Sequence, residues 1–355
     1  MTRFLGIALL LILPWMALVA SVDYCEGLFA PNQENCKKFN FGQATDSERC
    51  NNQTDTGNQT YHGTPLANCT TFYDISNLPD QSIDPQAAKM AQLITNVFEN
   101  DDTQMGYAFV KKLGDCRGYT CGYIGFTTGT NDAWTVVKQY TKRKEENNLK
   151  QYLPELARLS AFAFGDPRRD DTSHLVGYPE AWKDIACHDP VFVGTQLDVG
   201  HAMYLQPGLK YAASVDVHSN LGKFIFYDTI IMHGWQYVEP LINLPRIMEL
   251  TGPRKKHESE KSYLTRFMTI RRQLLCCFPG NVWNGAASRT SDIQNLVNDW
   301  HRNKDLKYPV HLVAFNITVT GKESMLYDTR HCKKEYDALP KPITLPIPDK
   351  CPNPL

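Results

Sequence analysis

The stretch Gly114-Asp115-Cys116-Arg117-Gly118-Tyr119-Thr120-Cys121-Gly122-Tyr123-Ile124-Gly125-Phe126-Thr127-Thr128-Gly129-Thr130-Asn131-Asp132 places an acid, a guanidinium, a phenol and a hydroxyl close together, at Asp115, Arg117, Tyr119 and Thr120. Its glycines allow backbone conformations that other residues avoid. Such a loop suits a polar ligand site. It would also serve as a structural turn in which Asp115 caps a helix and pairs with Arg117.

Upstream of this loop the pattern is helical. Asp84 is a capping residue and Pro85 suits the first helical position. Ala87, Met90, Leu93, Ile94, Val97 and Phe98 follow at the spacing of a buried stripe. Glu99 closes this helix, before the breaker-like Asn100-Asp101-Asp102-Thr103. A second helix is expected over Gly106–Leu113. Downstream, a helix should follow Thr130-Asn131-Asp132, with Trp134, Val137 and Tyr140 on one face. Further helical patterns lie near Leu149–Phe162, Phe224–Met232, Tyr263–Leu275 and Ser291–Trp300, and the best strand pattern is Val310–Val319. No internal repeat is visible.

Several common chemistries are absent from the chain. It has no Gly-x-Ser-x-Gly elbow, no Walker loop and no His-Glu-x-x-His; His257-Glu258-Ser259-Glu260 lacks the second histidine. Carboxylate chemistry remains.

The opening stretch resembles the family 46 glycoside hydrolases, the chitosanases. Their motif Gly-Asp-x-Arg-Gly-Tyr-Thr-x-Gly-x-x-Gly-Phe-x-x-Gly-Thr-x-Asp is matched at every defined position. Asn148-Leu149-Lys150-Gln151-Tyr152-Leu153-Pro154 resembles a second family segment, one residue shorter. Phe226-Tyr227-Asp228-Thr229-Ile230-Ile231-Met232-His233-Gly234 resembles the Tyr-Tyr-Asp-x-x-x-x-His-Gly helix, and Arg271 and Arg289 fall in the later arginine segments. The likeness covers roughly residues 85–305.

The resemblance implies an inverting mechanism with Glu99 as general acid, Asp115 as general base and Thr120 helping to hold the attacking water. It implies Arg117, Asp132 and His233 as substrate-binding cleft residues, and Asp228, Arg271 and Arg289 as a buried charge network, with Arg289 near Glu99. That network equally reads as an ordinary structural set of ion pairs. The implied fold is mainly α, a two-lobed lysozyme-like domain with a small β element and a disulfide-rich N-terminal extension.

The residues themselves suit this division of labour, since glycoside cleavage needs one protonated and one ionised carboxyl. Glu99 ends a helix, where the dipole disfavours negative charge; Asp115 lies among glycine amides beside Arg117, which favours its ionised form. Inversion requires the carboxyls to stand about 6.5–9.5 Å apart, leaving room for water. No cofactor or metal is implied.

Two features depart from the family pattern. Cys116 and Cys121 flank the loop and would either bridge and stiffen it or pair elsewhere. Lys111 and Lys112 stand just before Asp115, where the bacterial pattern is acidic, and positive charge suits a polycationic substrate poorly. The expected partner is chitosan or a partly acetylated chitosan. Two rivals stay open: a lysozyme-like hydrolase of chitin or peptidoglycan, and a non-catalytic secreted carbohydrate-binding glycoprotein.

The chain has 355 residues, 42% of them hydrophobic, enough for one large domain with appendages. Its 37 Lys and Arg balance 38 Asp and Glu, so composition makes no case for a nucleic-acid partner. Arg3, an apolar run from Phe4 to Ala20 and the small Ala20-Ser21 read as a cleavable signal over 1–21, with no membrane association after cleavage. Sequons at Asn52, Asn58, Asn68 and Asn316 and eleven cysteines fit an exported, extracellular protein. The odd cysteine count leaves one thiol free or paired between chains. Residues 22–80 form a Cys-rich glycosylated segment, either a cap on the catalytic domain or a flexible extension. The catalytic domain spans 81–338, and the Pro-rich tail 339–355 should run extended over the surface, with Cys351 available to pin it.

Overall fold

The computed structural model describes residues 23–25, 34–39, 41, 60–61, 64–65 and 74–347, apart from 165, 237, 280–282 and 334–335. The expected signal, the sequons at Asn52, Asn58 and Asn68, and Cys351 lie outside the described residues. The chain folds mainly as helices around one extended apolar core. After a small hairpin, β1 Thr60–Tyr61 with β2 Thr64–Pro65, comes helix α1, Pro85–Asn100. Asp84 accepts the Gln86 and Ala87 N–H groups, each at 3.0 Å, and Asp101 ends the helix in the left-handed region at φ 52°. Met90, Leu93, Ile94 and Val97 form its buried face.

The helix expected over Gly106–Leu113 does not form. Val110–Lys112 is strand β3, paired antiparallel with β4, Tyr119–Cys121, which pairs in turn with β5, Phe126–Thr127. Tertiary contacts override the local apolar pattern. Trp182 Nε1 and Gln196 Nε2 take the Tyr107 carbonyl at 3.0 and 3.1 Å, and Gly122 N–H takes that of Phe109 at 2.8 Å.

One lobe gathers α2 Asn131–Arg143, α3 Leu153–Ala161, α4 Tyr178–His188 and α5 Pro190–Gly200 against this sheet. A π-helical turn, His201–Leu205, joins α5 to α6, Gln206–Ser214. The other lobe contains α7 Asn220–His233, α8 Leu244–Thr251, α9 Glu260–Cys277 and α10 Ala287–Asn298. Short α11, Trp300–Asn303, leads to a hairpin of β6 Val310–Leu312 and β7 Ile317–Val319, then α12, Thr329–Cys332. The strand pattern over Val310–Val319 is thus two short strands, with the sequon residue Asn316 exposed in their turn at φ 54°. Helix α7 runs through the centre and is buried at every position from Phe224 to Ile230.

The described N-terminal residues pack onto the body. Disulfides Cys25–Cys276 and Cys36–Cys277 join them to the last two residues of α9. Phe39 is 1% exposed and Phe41 meets the Phe278 ring at 5.1 Å. A third bridge, Cys187–Cys332, ties α4 to α12. At the other end, Pro340 lies on Gly194 and the Ile343 N–H reaches Asp198 at 3.1 Å, so the tail as far as residue 347 is extended and seated. No helix among the described residues is long and apolar enough to cross a membrane.

Candidate active site

The last turn of α1 carries Glu99 to the edge of a cleft, where Arg289 of α10 meets its Oε1 at 2.5 Å. Behind Arg289 the charges alternate. Asp228 of α7, fully buried, accepts from Arg289 Nη2 at 2.7 Å and from Arg271 Nη1 at 2.8 Å. Burial alone would pull Arg289 down; Asp228 and Glu99 outweigh it and hold the guanidinium above its ordinary value. Arg271 Nε reaches His233 Nε2 at 3.3 Å. His233, expected as a cleft residue, is 1% exposed, because it lies on the inner side of α7 while Ile231 and Met232 face the cleft; it packs beneath the cleft-lining Trp283 at 5.9 Å. Burial, then Arg271 and Arg289, push its pKa well below the ordinary imidazole value, so it stays neutral.

Asp115 faces the same cleft from the β3–β4 loop. Gly114, Cys116 and Gly118 all adopt left-handed backbone there, at φ 79°, 65° and 73°. The Arg117 N–H donates to Asp115 Oδ1 at 3.2 Å and the Gly118 N–H to Asp170 Oδ1 at 3.0 Å. The buried guanidinium of Arg169 donates to the carbonyls of Gly129, Ser160, Phe162 and Ala163, clamping the far side of the loop. Thr120 on β4 lines the cleft, and its Oγ1 is buried with no hydrogen-bond partner among the described residues.

Of the two alternatives for the loop's cysteines, a bridge between them is not made. Cys116 is in a disulfide, whereas Cys121 is a free thiol in the core against Tyr178 Oη at 4.0 Å. Alternation along β4 turns Cys121 inward, away from the loop.

Further along, the cleft shares Arg117, Gly125 and Met232 with a hollow lined by Asp132, Tyr204 and Trp235. The Asp132 carboxylate is largely engaged by its own surroundings. It accepts from the Thr127 and Ala133 N–H groups at 3.0 and 2.9 Å, from Thr130 Oγ1, and from Tyr204 Oη at 2.8 Å. Burial raises its pKa against these bonds. Glu239, which sequence reasoning missed, is 4% exposed and paired with Arg117. It stands in Val238-Glu239-Pro240, outside any motif, so no local signal marked it. The geometry thus brings Glu99, Asp115, Thr120, Arg117 and Arg289 to one cleft, with Asp132 alongside and Asp228, Arg271 and His233 underneath.

Residues 93–310 match the model of glycosyl hydrolase family 46. The chain belongs to this family. It is therefore a glycoside hydrolase. The chain is 35% identical over 233 residues to a chitosanase of Bacillus subtilis strain 168, covering 63% of this chain and 80% of that one. It is 33% identical over 157 residues to a chitosanase of Streptomyces sp. strain N174, covering 42% and 52%. Its fold superposes on a family 46 chitosanase of Gynuella sunshinyii in complex with chitotetraose, with TM-score 0.60 and 28% identity, over 67% of this chain and 98% of that one. It also superposes on the native chitosanase of Bacillus subtilis MY002, with TM-score 0.58 and 31% identity, over 67% and 100%. Both superpositions cover nearly all of the family structure, so about a third of this chain lies outside the shared fold.

Proposed function

We propose that this family 46 chain is an exported endo-hydrolase of chitosan that works with inversion, with Glu99 as acid and Asp115 as base. The observation that carries the reading is the convergence of Glu99, Asp115 and the unpartnered Thr120 hydroxyl on one cleft. Glu99 gives its proton to the glycosidic oxygen as the C1–O bond breaks. Asp115 takes a proton from a water that attacks C1 from the opposite face, and Thr120 steers that water. Solvent then returns the proton from Asp115 to Glu99. Arg289, held by Asp228, fixes the carboxyl of Glu99 through the cycle.

The lip beside the base favours a partly N-acetylated polymer. Leu113 lines the cleft and is 52% exposed, next to the exposed Lys111 and Lys112. An acetamide methyl suits Leu113, while a free ammonium meets repulsion from the lysines; Asp170, 3.2 Å from Lys112, offsets that charge in part. Export is supported by the three interhelix and N-terminal disulfides and by the exposed sequon at Asn316.

Reducing-end release from chitosans of graded acetylation tests the reading. Wild type should be active, best on an intermediate acetylation, and Glu99→Gln and Asp115→Asn should each lose at least about a hundredfold. Equal activity in all three proteins would overturn the mechanism. Proton NMR of fresh product should show the inverted anomer; retained configuration would refute inversion.

A further inference from the structure

Arg117 serves two carboxyls. Its backbone N–H donates to Asp115 Oδ1 at 3.2 Å, and its guanidinium pairs with Glu239 Oε1. Glu239 reaches it from the loop between α7 and α8, on the opposite lobe from the base. That loop is built to present it. Glu239 has left-handed backbone, φ 46°, which is unfavourable for any residue with a Cβ. The Ile242 and Asn243 N–H groups hold its carbonyl at 2.9 and 2.8 Å, and the Asn243 side chain holds the carbonyls of Gln236 and Val238 at 3.3 and 3.2 Å. A solvated residue would join the two helices without burying a carboxyl or bending the backbone this way.

We propose that Glu239 is a positioning residue for the base: it offsets the Arg117 guanidinium, so that the Asp115 loop is anchored across the cleft while Asp115 keeps enough basicity to take a proton from water. The inference rests on Asp115 being the base. The charges around Asp115 include Arg117 on its own lobe and Glu239 on the opposite one, Glu99 and Arg289 on the cleft, and Lys112 with Asp170 behind its loop. A bare Arg117 beside Asp115 would favour the carboxylate and weaken it as a proton acceptor. Burial pushes the Glu239 carboxyl up, Arg117 holds it down and Asp115 pushes it up again, so Glu239 lies within electrostatic reach of both.

The test is the pH dependence of kcat/KM on one chitosan oligosaccharide, so that titration of the substrate amines is common to all variants. In Glu239→Gln the acid limb should move down by about one pH unit, because a negative charge near Asp115 is gone. Its plateau should fall about tenfold, as the base weakens and its loop loosens. Arg117→Gln should move the limb up, and the double variant should return it toward wild type. Glu239→Asp keeps the charge and should keep the limb. Simple structural damage lowers activity at every pH without moving the limb. A limb unmoved in Glu239→Gln, or moved the same way in both single variants, overturns the proposal. If Glu239→Gln fails to fold, as judged by its thermal transition, Arg117→Gln decides: an upward shift supports the pair and no shift refutes it. Wild-type activity in Asp115→Asn would show instead that the base itself is misassigned.

Discussion

At the scale of single residues, the site depends on groups that do not touch the cleft. Asp228 is fully buried between two guanidiniums and is the carboxylate that bonds both. Asp228→Asn keeps the shape and removes the charge, leaving Arg271 and Arg289 buried beside each other. Removing one partner of a buried pair costs about 3–5 kcal/mol, so the thermal midpoint should fall clearly, and Arg289 should lose its grip on Glu99. A variant as stable as wild type by calorimetry would show that the network carries little of the fold. Thr120 gives the opposite case. Its hydroxyl has no partner among the described residues, so Thr120→Val should leave the thermal midpoint near wild type while kcat falls by up to about a hundredfold, the cost of a misplaced reactant. Equal losses of stability and rate would make Thr120 a packing residue. Gly118 is fixed by space as well as by φ: a Cβ there would lie 2.2 Å from Thr128 Oγ1, which itself accepts the Tyr119 N–H at 2.9 Å. The dense motif around Asp115 was therefore legible in the sequence because each glycine answers a geometric demand. Glu239 was not legible, because its role arises from a contact 122 positions away.

At the scale of elements, some helices were readable from local signals and others were not. Asp84, Pro85 and the stripe from Met90 to Val97 describe α1 fully. Helices α4, α5, α6 and α8 were not read; α5 is buried nearly all round, with Phe192, Val193, Thr195, Gln196 and Val199 all interior, so no face stands out in it. The strand β3 was read as helix because Tyr107 to Val110 are apolar, and only its partner β4 decides the pairing. Local charge at an element's start also carries a prediction. Before α9, Glu258 receives Arg266 Nε and Nη2 at 2.7 and 2.8 Å and the Lys255 N–H at 2.9 Å. The Arg266 hydrogen bonds lower its pKa from 4.5 to about 2. A folded pKa below the unfolded one gives stability that is present above the unfolded value and lost as pH falls through the folded value. Glu258→Gln should therefore be less stable than wild type near neutrality. The gap in thermal midpoint should close between pH 4.5 and about 2, the window set by those two values. A gap independent of pH would mean the carboxylate contributes by shape alone.

At the scale of the whole molecule, the segment that family relatives leave uncovered is not detachable from the cleft. Cys25 and Cys36 are bonded to Cys276 and Cys277, the final residues of α9. Arg272 of the same helix donates to the Tyr24 carbonyl, at 2.8 Å from Nε, and Lys38 reaches Gln273 at 3.0 Å. The chain leaving α9 runs through Phe278 to Trp283, which lines the cleft, and then to α10 with Arg289. The N-terminal staple thus holds the base of a cleft wall, and the wall carries the partner of Glu99. The bridges close loops of 251 and 241 residues, so the unfolded chain loses much freedom to them. Cys25→Ser with Cys36→Ser should cost about 2–5 kcal/mol. Activity should fall with temperature well before the body of the domain unfolds, because the wall loosens first. Parallel scans of residual hydrolysis and of far-ultraviolet circular dichroism check this: in wild type the two losses should coincide, and in the double variant activity should fail at the lower temperature. Mild reduction of wild type should reproduce the separation. Cys121→Ala should not, since that thiol is unbridged and lies in the opposite lobe. Coincident losses in the double variant would show that the staple stabilises the fold as a whole and leaves the wall rigid without it.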